Sequence, residues 1–194
     1  MRSPVEYPSD EERYFAEWIR EAQGHGLVRK EIYQPKPFKL SSKVEYVARF
    51  KKNGDPVMKH LLFHHEYQAD WLIVWTDRAV GLGLVTDIRR SPVSPGVIMG
   101  YAHNGSIRSV IDVKGGFQQN DRFPLNQKWV YEKYNIFVNK VTPFSARQLK
   151  SCLFSQTWTP QAYWYRPMKR QAGKFLKVNC IPRTFEQYIE NKIK

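Results

Sequence analysis

Two short apolar runs, each with an acid at one end, constrain the fold most. Residues 69–75 read ADWLIVW and residues 106–114 read SIRSVIDVK. The first reads as a buried strand. The second runs into Asp112, Val113 and Lys114 before a Gly115-Gly116 break. Alternate residues of a strand share a face, so Asp112 and Lys114 point the same way. An acid at the edge of a buried strand loses hydration free energy unless it is paired or bound to a metal. Two such acids close together, Asp70 and Asp112, either rise in pKa or require a cation.

The flanking segments place these strands in a domain. Residues 9–23, SDEERYFAEWIREAQ, put Phe15, Trp18, Ile19 and Ala22 on one face at helical spacing. Ser9 and Glu12 fit a capping box, and Gly24 and Gly26 end the helix. Asn53-Gly54 joins KVEYVARFKK to VMKHLLFHH as a hairpin. Asn104-Gly105 joins VIMGYA to SIRSVIDVK, which pairs the strand of Asp112 with residues 97–102. A loose stretch with Gly and Pro covers 77–96. Asn126 is expected to cap a helix, QKWVYEKY, ending near Asn135, and IFVNKV follows as a strand stopped by Pro143. KFLKVNCI reads as a further strand and RTFEQYIENKIK as a closing helix. This order predicts an α/β or α+β domain with a mixed central sheet flanked by helices.

Charge points to the partner. The chain has 194 residues and a net charge of +13. Residues 1–111 contribute +3 of it and residues 112–194 contribute +10. From Arg147 to Arg183 there are eight basic residues and no acid. Such a surface attracts polyanions, nucleic acid first. Within it, TWTPQAYWYRPMKRQAGKFLK interleaves Trp158, Tyr163, Trp164 and Tyr165 with Arg166, Lys169 and Arg170. Aromatics of this kind stack on bases while the cations meet phosphates; the rival reading is a small satellite core with a basic rim. No run of about 18 apolar residues is present, so no membrane span is expected. The N-terminal MRSPVEYPSDEE lacks the apolar stretch of a signal peptide, and Cys152 and Cys180 have no zinc-type spacing. A soluble, cytoplasmic protein is expected. His60, His64 and His65 fall in a strand pattern, where i and i+4 lie far apart, which argues against zinc. No nucleophile elbow or Gly-rich phosphate loop is present.

Mg²⁺ takes oxygen ligands, often one or two carboxylates with phosphate and water. A lysine beside a metal-bound water orients it or stabilises phosphate charge. The chain resembles the PD-(D/E)xK nuclease superfamily. Its series of a helix with Glu, a strand with Asp, a strand with (D/E)-x-K, a helix and a strand is matched over about residues 9–141. Glu12, Asp70, Asp112-Val113-Lys114, NQKWVYEKYN and IFVNKV carry the match, which looks closest to small phage-type and Holliday-junction-resolvase-like endonucleases. The resemblance implies a restriction-endonuclease-like core over residues 1–143, with an insertion at about 77–106. A basic aromatic extension, 144–194, packs on the same domain. It implies that Asp70, Asp112 and the Val113 carbonyl hold Mg²⁺, with Mn²⁺ able to substitute. Glu12 would bind or orient a second metal or its water, and Lys114 would act on the nucleophilic water. Gln127-x-x-x-Tyr131 is similar to a signature of an exonuclease-like branch and implies substrate contacts by Gln127 and Lys128.

The expected activity is Mg²⁺-dependent endonucleolytic cleavage of branched or structured DNA in phage or mobile-element metabolism, by a chain that dimerises. A restriction-type nuclease, an exonuclease and a non-catalytic nucleic-acid-binding module are the alternatives. Simpler readings exist for each residue: a surface ion pair for Asp112 and Lys114, a strand-entry turn for Asp70, capping alone for Glu12, and a solvated helix face for Gln127 and Lys128. Glu11 lies nearer the centre of the apolar helix face than Glu12 and competes for its role.

Overall fold

The two apolar runs lie side by side in one sheet. The computed structural model describes residues 6–89, 96–115, 122–166 and 174–193. Helix α1 (Asp10–Gly24) leads into β1 (Val28–Tyr33), β2 (Phe38–Ser41), β3 (Val44–Phe50), β4 (Pro56–Leu62), β5 (His65–Tyr67) and β6 (Trp71–Trp75). Next come α2 (Asp77–Gly81), β7 (Val85–Asp87), β8 (Ile98–His103), β9 (Ser106–Val113), α3 (Arg122–Tyr134) and β10 (Val138–Val141). Short helices α4 (Leu153–Gln156) and α5 (Gln161–Trp164) precede α6 (Phe185–Ile193). The architecture is α+β with a mixed central sheet of order β1-β6-β9-β8-β7, and β10 also pairs with β9.

Strand β6 runs antiparallel to β9 with Trp71 opposite Ile111. The residues between them add α2, β7 and β8, and β7 and β8 extend the sheet. The Asn104-Gly105 turn forms with φ 47° and 71°, the left-handed pair that a two-residue hairpin needs. Pairing of β8 with β9 covers only the turn end, Tyr101 to Ser106 and their partners. The strand of Asp112 thus pairs with residues 98–103 as expected, at its turn end, while the neighbours at the level of Asp112 itself are β6 and β10. There β10 runs parallel to β9, from Val138 opposite Val110 to Val141 opposite Val113.

Asn139 makes this exchange possible. Its Oδ1 accepts from the Met99 N–H at 2.8 Å, and its Nδ2 donates to the carbonyls of Met99 at 2.7 Å and Val110 at 3.0 Å. A buried amide thus replaces the ladder bonds that end where β8 leaves β9. Gly100 sits at the same place, and a Cβ there would run into the side chain of Ile107.

Two cores cover the sheet. Ser9 caps α1, accepting from Glu12 N–H at 3.2 Å. Its apolar face, with Phe15, Trp18, Ile19 and Ala22, packs with Trp71, Ile73, Ile111 and Val113. Burial of each large side chain contributes about 1.5–3 kcal/mol. Residues beyond β10 join the same core: Trp18 stacks on Trp158 with centroids 4.7 Å apart and donates to Thr157 Oγ1 at 3.1 Å. The other face packs Leu40, Tyr67, Val110 and Val138 with Phe123 and Val130 of α3.

Some expected boundaries shift. Helix α3 starts at Arg122, upstream of Asn126, because Pro124 is tolerated in a first turn. Asn126 is no cap; its Oδ1 lies 2.9 Å from His65 Nε2. KFLKVNCI is not a strand beyond a single bridge at Phe175. Its backbone is engaged by Arg166 instead, through Leu176 N–H and the Lys177 carbonyl. The hairpin at Asn53-Gly54 forms as expected, but β3 and β4 form a sheet of their own outside both cores.

Asn139→Ala leaves the backbone groups of Met99 and Val110 without their amide partner. We expect a loss of about 2–4 kcal/mol in urea unfolding, against less than about 1 kcal/mol for Asn135→Gly, where the left-handed φ of 54° already suits glycine.

Candidate active site

The start of β6 meets the end of β9, and the two acids meet with them. Asp70 N–H donates to the Ile111 carbonyl at 3.0 Å, continuing the ladder. One step further the backbone has no strand opposite it, and the Asp70 carboxylate takes that role: Oδ2 accepts from Val113 N–H at 2.6 Å. A residue in a strand directs its N–H and C=O to the same edge, so the Val113 carbonyl also faces the Asp70 side. Asp112 points to the opposite sheet face from Ile111 and Val113 and is only 3% exposed. Lys114 Nζ lies 2.7 Å from Asp112 Oδ1, so the two do share a face. The ion pair is largely buried, unlike a solvated pair at a strand end.

Asp70 is the strained member. Burial, then the neighbouring Asp112 carboxylate, push its pKa up to about 7, against the stabilising Val113 N–H. Glu12 adds a smaller repulsion. Tyr67, three residues before Asp70, is buried beside Asp112, and its hydroxyl has no hydrogen-bond partner among the described residues. Burial first, then the Asp112 charge, raise its pKa well above the usual phenol range.

Both helix acids border this corner. Glu12 Oε2 accepts from Tyr33 Oη at 2.9 Å, and Tyr33 lies close enough to Asp70 to feel its charge. Burial, followed by the Glu12 bond, raises the Tyr33 pKa. Glu11 instead packs on Gly115: a Cβ on that glycine would lie 2.9 Å from Glu11 Oε1. The first glycine of the Gly115-Gly116 break thus makes room for a carboxylate; Gly116 is outside the described residues.

Sequence reasoning missed Tyr33, Tyr67 and Lys140. In the β9–β10 register Lys140 stands opposite Asp112, on the face that Val110 and Val138 define. The polar pair Asn139-Lys140 interrupting the apolar IFVNKV was its available signal. Nothing in the sequence distinguishes Tyr33 and Tyr67 from core aromatics. No protein-family model, curated protein or solved structure matches the chain. Its function is therefore read from geometry.

The substrate-side residues are placed elsewhere. Gln127 Nε2 donates to the Val138 carbonyl at 2.6 Å, at the other end of β10 from Lys114, and ties α3 to the sheet. Lys128 is exposed on α3. Trp164 is half-buried and donates to the Thr159 carbonyl at 2.9 Å. Arg166 is buried; its guanidinium lies 4.0 Å from the Tyr163 ring centroid and donates to the Lys177 carbonyl. Lys169 and Arg170 lie outside the described residues.

Among the described residues no three His, Cys, Asp or Glu side chains converge in metal-ligand geometry. The oxygen set that does converge is smaller: the Asp70 and Asp112 carboxylates, with the Val113 carbonyl on the Asp70 edge. A half-buried and a buried carboxylate that repel each other suit a hard cation that keeps several waters.

The folded protein holds a proton on Asp70 that the unfolded chain has released between pH of about 4 and 7. Stability of the metal-free protein should therefore fall as pH rises through that window and level off above it. Asp70→Asn should flatten the slope in urea unfolding with EDTA. Mg²⁺ should raise the wild-type midpoint more at pH 8 than at pH 5. Arg166→Ala should cost about 1–3 kcal/mol of stability and leave affinity for DNA unchanged in a filter-binding assay.

Proposed function

We propose that the chain is a Mg²⁺-dependent DNA endonuclease with a restriction-endonuclease-like core. The observation that carries this reading is the half-buried Asp70 carboxylate beside the buried Asp112, with Lys114 Nζ 2.7 Å from Asp112. A binding module has no use for such carboxylates where phosphate must approach, since without a cation they repel it.

In this reading Asp70, Asp112 and the Val113 carbonyl hold Mg²⁺, and Mn²⁺ substitutes. The bound ion would neutralise phosphate charge and lower the pKa of water. Lys114, as the ammonium paired with Asp112, would orient the attacking water in line with the leaving oxygen, and the proton that water loses would pass to solvent. The new O–P bond forms as the bond to the leaving sugar oxygen breaks, and that oxygen takes up a proton from solvent. Asp112 holds the Lys114 ammonium in place, and Tyr33 holds Glu12 toward Asp70. Glu12 would orient a water or a second ion on the Asp70 side, and Glu11, on the Gly115 side, is the competing candidate for that role. Branched or structured DNA, a phage or mobile-element setting and a dimeric enzyme complete the proposal; they rest on the resemblance of the motifs.

The test is cleavage of linear, circular, single-stranded and four-way-junction DNA with Mg²⁺ by wild type, Lys114→Ala and Asp112→Asn. Wild type should cut at least one substrate, and both variants should lose at least about 100-fold in rate while still binding DNA. No cutting by wild type, or equal cutting by the variants, would remove the site from consideration.

A further inference from the structure

The ribbon of β3 and β4 lies outside both cores and is exposed at every residue of the two strands but the half-buried Val57. Cross-strand partners share a face, so the register sorts its side chains. One face pairs Val44 with Leu62, Val47 with Met58 and Phe50 with Pro56, with only the Glu45–His60 pair between them. The other pairs Tyr46 with Lys59 and Arg49 with Val57. The bulge between Val47 and Arg49 is what turns Arg49 onto the Lys59 side.

The ribbon carries five cations, and two of them are answered locally: Lys43 by Glu45 at 2.8 Å and Lys51 by Asp55 at 3.9 Å. Arg49, Lys52 and Lys59 form no ion pair among the described residues. Two of these three lie on one face and the third at the turn. The strand that leads into the ribbon, β2, is tied to α3. Lys133 Nζ donates to the carbonyls of Lys39 and Leu40, and Tyr134 Oη to that of Lys39. Its return strand β5 runs straight into the site, since Tyr67 is packed beside Asp112 and Asp70 follows three residues later.

The geometry points to this ribbon as an arm that grips duplex DNA beside the phosphate held at Asp70 and Asp112, through Arg49, Lys52 and Lys59. A two-stranded ribbon fits the major groove of B-form DNA. At about 3.3 Å per residue, the seven residues of β3 span roughly 23 Å, about two-thirds of a helical turn of duplex. The cationic face is complementary to that surface, while the apolar face carries no net charge to attract it. The proposal deepens the nuclease reading by making duplex DNA, not single strands, the element recognised next to the cut.

Binding of a fluorescent 20-base-pair duplex and of its single strand is measured in EDTA, so that nothing is cut. The triple variant Arg49→Ala/Lys52→Ala/Lys59→Ala should lose at least about 10-fold in duplex affinity. Its slope of log affinity against log salt should fall by about 2–3, one step for each phosphate that the ribbon no longer neutralises. Single-strand affinity should change less, and Val47→Ser/Met58→Ser should bind the duplex normally. Unchanged duplex affinity and slope in the triple variant would overturn the proposal. So would a triple variant that binds normally while Val47→Ser/Met58→Ser halves the sedimenting mass, which would make the ribbon a contact between two copies. Binding in EDTA does not depend on cleavage, so a protein that binds through the ribbon yet never cuts refutes the nuclease reading alone.

Discussion

The bond from Val113 N–H to the Asp70 carboxylate governs the arrangement at the end of the sheet. It exists because β6 begins at Trp71, opposite Ile111, and offers Val113 no backbone partner. A carboxylate that completes a ladder cannot swing away to water, so it stays next to Asp112 and accepts the resulting repulsion. The energy for this comes from the neighbouring strands, where Trp71, Ile73 and Ile111 are wholly buried against α1. Strain at a corner is tolerable when the surrounding packing fixes it, and such corners are where functional groups collect.

A second consequence concerns the far edge of β9. Antiparallel β8 serves that strand near the turn, and parallel β10 serves it near Asp112. Only β10 can bring Lys140 opposite Asp112. The change of partner requires Asn139 to satisfy three backbone groups at once and Gly100 to admit Ile107. Residues far from the acids thereby determine which cations stand near them.

Much of this corner was legible in the sequence. Apolar runs ending in Asp70 and Asp112, and the two-residue step to Lys114, follow from strand periodicity alone, and the ion pair bears out the shared face. Ser9 capping and the buried face of α1 were equally local. What was not legible depends on tertiary packing. KVEYVARFKK showed a hairpin but not that it stands outside both cores, because alternation reports two faces without saying what covers either. KFLKVNCI has strand-like composition, yet Arg166 occupies its backbone. Arg166 itself reads as a surface cation in sequence, and only the ring of Tyr163 beneath it gives it a place in the core. Asn126 has the chemistry of a cap and stands just after Pro124, but a first turn accepts proline and the helix is already under way.

Glu11 and Glu12 show how neighbouring residues of like chemistry divide between roles. Successive helical positions are 100° apart, so two adjacent acids cannot face one point. The cap at Ser9 fixes the helix rotation, and with it Glu12 turns to Tyr33 while Glu11 turns to Gly115. One carboxylate therefore approaches the Asp70 side of the corner and the other the exit of the Lys114 strand. In the proposed function a phosphate at Lys114 would meet a carboxylate on either side, which without a cation is unfavourable. In that reading the same pair of acids would make the approach of phosphate depend on a cation, and the basic surfaces elsewhere would supply the attraction that the corner lacks.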